Sequence, residues 1–226
     1  MVNKPILMKN SIRLLPQEKP APRCSHIPTG RALQWQPVNP AGAPGEPAVS
    51  VFVTQKAYVR FCAHSSTDLN NEVGGWLLGK YRVDKKSGEQ FIVIDTILPA
   101  QHTQQGSAFL TFTQESQVAL LNHLHEYYSN KDLVGWFHTH PRMGVFLSAY
   151  DTWLHDNFFP ELWQVALVIE PFSKSGGFFI RQMNNQLDPR HYYGFYEVTN
   201  GKNRGVVHWR NMTSHAQACK KGVVNE

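Results

Sequence analysis

Apolar residues follow two different rhythms along this chain, and the points where the rhythm changes mark out its elements. A β-branched run at Val49, Val51 and Val53 alternates as a strand does, and Thr54 then stands as the N-cap of a helix carrying Tyr58, Phe61 and Cys62. GGWLLGKYRV and FIVIDTIL, joined by the polar turn DKKSGEQ, predict two paired strands, and AFLTF a third. Thr113 is placed to cap a second helix through Val118, Leu121, Leu124 and Tyr128. LVGWFHTH is apolar at consecutive positions, which suits a strand covered on both faces, and LWQVALVIE and GGFFIRQM continue that sheet. YYGFYEV and GVVHWRN carry weaker strand patterns. Helices interleaved with a mixed β-sheet make an α/β or α+β layered domain.

The first 48 residues break the pattern. They hold nine of the 14 prolines and end in PVNPAGAPGEP, and proline removes a backbone donor and fixes φ, so residues 1–48 are expected to be a Pro-rich arm, flexible or docked through Ile6, Leu7, Leu14, Leu15, Leu33 and Trp35. The single domain then spans 49–212, and 213–226 is expected to be a frayed tail. The arm also carries most of the charge imbalance. Six of the 22 basic residues and two of the 17 acidic ones lie in it, so the domain itself is close to neutral and offers no basic face for nucleic acid. Cys24, Cys62 and Cys219 form neither a CxxC pair nor an even framework, which fits a reducing compartment. The amino terminus lacks the apolar run of a signal peptide and no stretch reaches about 20 apolar residues, so no membrane contact and a cytoplasmic location are expected.

Candidate chemistry concentrates in WFHTHPRMGVFLSAYDTW, where His138, His140, Ser148 and Asp151 stand in the spacing H-x-H, seven residues, S-x-x-D. On a strand, positions two apart share a face about 6.6 Å apart. Two imidazoles so placed can lean to the roughly 3.3 Å nitrogen separation that tetrahedral zinc, with bonds of about 2.0–2.1 Å, requires. His123 and His125 share the H-x-H spacing but fall in the helical pattern NHLHEYY, where neighbours two apart diverge by about 200° and cannot converge. Pro141 ends the strand, and Ser148 can cap a helix from Ala149 with Asp151 at its third position, a plain capping box. A helix start aimed back at the strand end would bring Asp151 beside the histidines, and two His plus one carboxylate with an open position is a hydrolytic zinc site. His155, four residues after Asp151 on the same helix face, is the rival ligand or a support that orients Asp151; Asp156 is a weaker rival.

Those four positions resemble the signature of the JAMM, or MPN-plus, metalloproteases, in which a glutamate lies well upstream of H-x-H-x7-S-x-x-D. NEVGGWLLG supplies that element through Glu72, and the resemblance covers roughly residues 50 to 170. It implies an MPN-like, cytidine-deaminase-like sheet flanked by helices, with His138, His140 and Asp151 holding one Zn2+ per chain. It also implies Glu72 as the acid/base and Ser148 as a donor to the tetrahedral oxyanion. Without the family spacing, Glu72 would not stand out from Glu89, Glu115 or Glu126. Some members carry a second, structural zinc in a Cys- and His-rich insertion; no cysteine falls between Cys62 and Cys219, so none is expected here.

The resemblance further implies peptidase or isopeptidase action on the carboxyl-terminal tail of a ubiquitin-like protein, either precursor processing or deconjugation. A narrow groove at a strand edge can hold such a tail by β-augmentation. Stand-alone domains of this size are similar to prokaryotic deubiquitinase-like members, some of them in antiviral defence operons. GGWLLG and TWLHDNFF are where the family places its substrate-gripping insertions, so Trp153, Phe158 and Phe159 are either exposed anchors or core aromatics. Two other readings stay open: a catalytically silent MPN scaffold, and a zinc hydrolase of small amide substrates. A nucleobase deaminase would require H-x-E with a later P-C-x-x-C, which this chain lacks.

Overall fold

A computed structural model describes residues 22–40, 45–100, 103–106, 109–112, 114–200 and 204–214. In chain order the elements are β1 (Arg23–Ser25), a 3-10 turn (Thr29–Arg31), β2 (Ala32–Pro37), β3 (Ser50–Thr54), α1 (Gln55–His64), β4 (Gly74–Asp84) and β5 (Gln90–Pro99). Then follow β6 (Thr103–Gly106), β7 (Phe109–Phe112), α2 (Gln114–Tyr127), β8 (Asp132–Thr139), α3 (Ala149–Phe158), β9 (Val165–Glu170), β10 (Ser175–Phe179), β11 (Phe195–Val198) and β12 (Met212–Ser214). One large sheet runs β10-β9-β8-β4-β5-β3-β11-β2-β12, with β1 added to the far end of β4; β6 and β7 form a separate hairpin. The sheet is mixed: β8 runs parallel to β9 and antiparallel to β4. The layered α/β architecture expected from the sequence is present.

Alternation along the strands sorts side chains onto two faces. Leu77, Val134, Phe137, Val165, Leu167 and Ile169 join one core with Ala57, Tyr58 and Phe61 of α1. Trp76, Leu78, Trp136, Ala166 and Val168 join the other with Leu120 of α2 and Leu154 of α3. Thr54 caps α1 as expected, its hydroxyl accepting from the Ala57 N–H at 3.3 Å. The cap expected at Thr113 lies outside the described residues. On α2 the buried face is Leu120 with Leu124 and Tyr128 packed beside it, whereas Val118 and Leu121 are exposed. The i, i+4, i+8 row through Leu120 therefore wins over the row read from Val118.

The proline-rich segment contributes to the sheet. Residues 32–37 pair with β11 on one side and β12 on the other, and Trp35 is buried with its indole N–H donating to the buried Glu197 carboxylate at 2.9 Å. Leu33 and Trp35 alternate inward while Pro37 sits at the strand end, where a missing donor costs least. A boundary at residue 48 thus cuts through a continuous sheet, and Thr213 and Ser214 of the expected tail belong to β12; residues 1–21 and 215–226 lie outside the described residues. GVVHWRN is irregular rather than a strand. β6, in the polar stretch TQQG, was without a hydrophobic signal to announce it.

The contact that positions everything near the sheet's upper end is β4 against β8, with Gly74 opposite His138. A Cβ on Gly74 would lie 2.4 Å from the Phe137 carbonyl oxygen and 3.2 Å from the His138 Cα, so only glycine lets the strands close here. Gly74→Ala is expected to cost about 1–3 kcal/mol of stability by overpacking, read as a lower urea midpoint; an unchanged midpoint would show that β4 can move away freely.

Candidate metal centre

His138 lies near the end of β8, on the face that also carries Trp136, and His140 follows one residue beyond the strand. The backbone of His140 is still tied to the sheet, its N–H donating to the Ile169 carbonyl at 2.9 Å. The two rings meet: their Nε2 atoms are 2.9 Å apart. Thr139 points the other way and clamps the segment before β4, its hydroxyl accepting from the Val73 N–H at 2.9 Å while its own N–H donates to the Val73 carbonyl at 2.9 Å. That clamp delivers Glu72, whose Oε1 lies 3.8 Å from His140 Nε2.

Ser148 caps α3 and forms the expected capping box. Its hydroxyl accepts from the Asp151 N–H at 3.1 Å, and its own N–H donates to Asp151 Oδ2 at 2.7 Å. The carboxylate so fixed stands 3.4 Å (Oδ1) from His138 Nε2 and 3.5 Å (Oδ2) from His140 Nε2. Capping and a place beside the histidines are compatible because Oδ1 faces His138, while Oδ2 accepts the cap N–H and still borders His140. All four side chains, Glu72, His138, His140 and Asp151, are buried.

His123 and His125 lie on helix α2, as their spacing indicated, and His123 Nδ1 is within 2.9 Å of the Ala119 carbonyl. His155 does not reach the cluster. Its Nδ1 accepts the Trp136 indole N–H at 3.1 Å and its buried Nε2 meets no hydrogen-bond partner among the described residues, so it makes no hydrogen bond to Asp151; Asp156 is taken by Arg181 at 2.8 Å. Arg181 also donates to the carbonyls of His155 (3.5 Å) and Phe159 (3.2 Å), which places its positive charge at the carbonyl end of α3. Of the three possible aromatic anchors, Trp153 is 51% exposed, Phe158 is half-buried and Phe159 is buried. Glu170, which carried no motif, accepts the backbone N–H groups of Arg142, Phe172 and Ser173 and so holds the turn that follows His140. Arg142 adopts φ 62° there, with its guanidinium 3.8 Å from the centre of the Phe172 ring.

Burial governs the electrostatics. It pushes the Glu72 carboxyl up to about 7, helped by Asp151 and only partly offset by His140. It also pushes His138 down, which keeps that imidazole neutral. For Asp151 burial acts upward too, but the neighbouring imidazoles and the Ser148 hydrogen bond outweigh it and leave the carboxyl well below the usual range. His155 is pushed down to about 3 by burial, with Arg181 adding to it.

Whether these residues fit a cation can be judged from their unpaired atoms. Two imidazoles facing each other through Nε2 call for either a shared proton or a common Lewis acid, and the buried Glu72 Oε2 has no hydrogen-bond partner among the described residues. Glu72, His138 and His140 offer ligand atoms all within 4.8 Å of one another, a group able to hold a metal ion, and Asp151 borders the same two nitrogens. Nitrogen and carboxylate donors in this number suit zinc.

Residues 47–159 match the family model described as JAB1/Mov34/MPN/PAD-1 ubiquitin protease. The chain belongs to this JAB family. A curated relative, COP9 signalosome complex subunit 5 of Candida albicans, is 29% identical over 107 residues, which are 44% of this chain and 16% of the relative. The chain therefore spans about a sixth of the length of the curated relative it matches. A Desulfitobacterium hafniense protein known from its solution structure aligns with 62% of this chain and 90% of its own, at 21% identity and a TM-score of 0.47. The JAB match covers Glu72, both histidines, Ser148 and Asp151, and stops at Phe159, before β9.

A raised Glu72 pKa has a signed consequence for the metal-free protein. Between roughly pH 4.5 and 7 the folded chain holds the Glu72 proton that the unfolded chain has released, so stability falls as pH rises through that window and levels off above it. The loss is expected to approach about 3 kcal/mol. Urea midpoints of the metal-free protein from pH 5 to 8 should show this slope, and Glu72→Gln should flatten it; an equal slope in both would assign the effect to another group.

Proposed function

We propose that this JAB-family chain is a zinc-dependent peptidase or isopeptidase that cleaves after the carboxyl-terminal tail of a ubiquitin-like protein. The observation that carries the reading is the convergence of two imidazoles, one ionised carboxylate and one carboxyl poised near neutrality in a single buried cluster. His138, His140 and Asp151 would hold the zinc. Asp151 is preferred to Glu72 as the third ligand because it lies near both nitrogens, is ionised, and is locked by its own helix cap. Zinc bound there would polarise the scissile carbonyl and make water a nucleophile at neutral pH.

The remaining steps belong to the chain. Glu72, with a pKa near neutrality and an oxygen that has no hydrogen-bond partner among the described residues, takes one proton from the attacking water as the new C–O bond forms. It returns that proton to the amine nitrogen as the C–N bond breaks, leaving a free carboxyl terminus and a free amine. The Ser148 hydroxyl uses an oxygen lone pair for the cap, so its own proton remains available to the developing oxyanion. The family's description as ubiquitin proteases supports the choice of substrate class. The exposed Trp153, stacked on Tyr150 at 5.7 Å on the same helix as Asp151, offers an apolar surface to the body of that substrate.

Incubation with candidate ubiquitin-like fusions, read by intact mass, tests the reading. Cleavage directly after the tail is expected, with loss on chelation and recovery on zinc addition, and Glu72→Gln should be slower by about 10²–10⁴-fold. Cleavage indifferent to chelator, or full activity in Glu72→Gln, would overturn it. Hydrolysis of small amides alone would replace the substrate class.

A further inference from the structure

Metal-binding histidines ordinarily donate their second ring nitrogen to a carboxylate or carbonyl, which fixes the ring plane. Among the described residues His138 has no such support: its Nδ1 is buried and meets no hydrogen-bond partner there. Its ring lies instead flat on the Trp136 indole, with centroids 4.6 Å apart and planes 8° from parallel. The indole is in turn fixed at its polar edge, because Trp136 Nε1–H donates to His155 Nδ1 at 3.1 Å in a fully buried position. An indole N–H can only donate, so the His155 Nδ1 must offer a lone pair and Nε2 must carry the proton. The His155 ring is itself packed, stacked with Phe159 at 6.0 Å and 14°, while Phe159 stacks with Trp136 at 6.0 Å and 16°.

Resting on the reading above that His138 holds the cation, we infer that Trp136 and His155 are a positioning pair that sets the His138 ring plane through a stack and one buried hydrogen bond. Helix α3 then acts on the site twice. Its first turn presents Asp151 to both Nε2 atoms, and one turn later, on the same face, His155 locks the indole beneath His138. The spacing between the carboxylate and the ring it must meet is thereby set by one rigid helix. Arg181, holding the carbonyls of His155 and Phe159 from β10's continuation, anchors the far end of that helix.

Three variants separate this role from packing. His155→Leu removes the acceptor, Trp136→Phe keeps a ring on His138 but removes the donor, and His155→Asn places an amide oxygen where Nδ1 was. Affinity for zinc by competition with a chromophoric chelator, the visible spectrum of the cobalt(II)-loaded protein, and the urea midpoint of the metal-free protein are the readouts. His155→Leu and Trp136→Phe are expected to weaken metal binding about 10–100-fold and to shift the cobalt bands, whereas His155→Asn recovers both. Unchanged affinity and spectrum in His155→Leu, or a His155→Asn as weak as His155→Leu, would overturn the pair. If His155→Leu does not fold, the comparison of Trp136→Phe with His155→Asn decides in the same way. A wild-type chain that binds no metal would instead remove the reading on which the pair rests, so the two failures are distinct.

Discussion

The close approach of β4 to β8 is the constraint on which the site depends. With no Cβ at Gly74, the two strands come close enough for Thr139 to hold Val73 through two hydrogen bonds, and the residue before Val73 is Glu72. One antiparallel pairing therefore brings together two residues 66 positions apart and places a carboxyl over a strand end that carries two imidazoles. The fourth group arrives from the opposite direction. Asp151 is brought in by a helix whose start is set by its own capping box, so the same carboxylate ends the unpaired backbone of α3 and closes the cluster. Cap and site would be lost together.

Burial then gives these similar groups different properties. Two carboxyls within one cluster are driven apart, Glu72 up to about 7 and Asp151 below the usual range, because burial dominates at Glu72 while Asp151 has two imidazole neighbours and a hydrogen bond from Ser148. Separating two carboxyls in this way is how a site obtains both a fixed negative charge and a proton carrier at one pH. The same burial disfavours the charged form of the His138 imidazole, as metal donation demands. Around them, aromatic faces replace the usual polar supports: Trp136 lies on His138 at 4.6 Å, and Phe146 lies beside His140 at 4.8 Å.

Much of the site was legible in the sequence because its parts are local. The H-x-H spacing on an apolar strand and the S-x-x-D capping box each need only a few consecutive residues, and they stand at the end of β8 and the start of α3. Glu72 was legible only through family resemblance, since its place depends on pairing between distant strands. The partner of His155 is hidden in the sequence for the same reason. Helical spacing says that it shares a face with Asp151, but its partner is an indole on another element. β2 was obscured by the prolines around it, although Leu33 and Trp35 carried the alternation, and β6 by a run of polar residues. Glu170 and Thr139 gave no motif at all because their work is done on backbone N–H groups that sequence does not display.

A cation held by His138, His140 and Asp151, with Glu72 left free to carry a proton, is the centre of this account. X-ray absorption at the zinc edge of the reconstituted protein, compared with Glu72→Gln and Asp151→Asn, addresses it most directly. Zinc with only nitrogen and oxygen neighbours at about 2.0–2.1 Å is expected, unchanged in Glu72→Gln and lost or rearranged in Asp151→Asn. The reverse pattern, with zinc disturbed by Glu72→Gln and indifferent to Asp151→Asn, would contradict it.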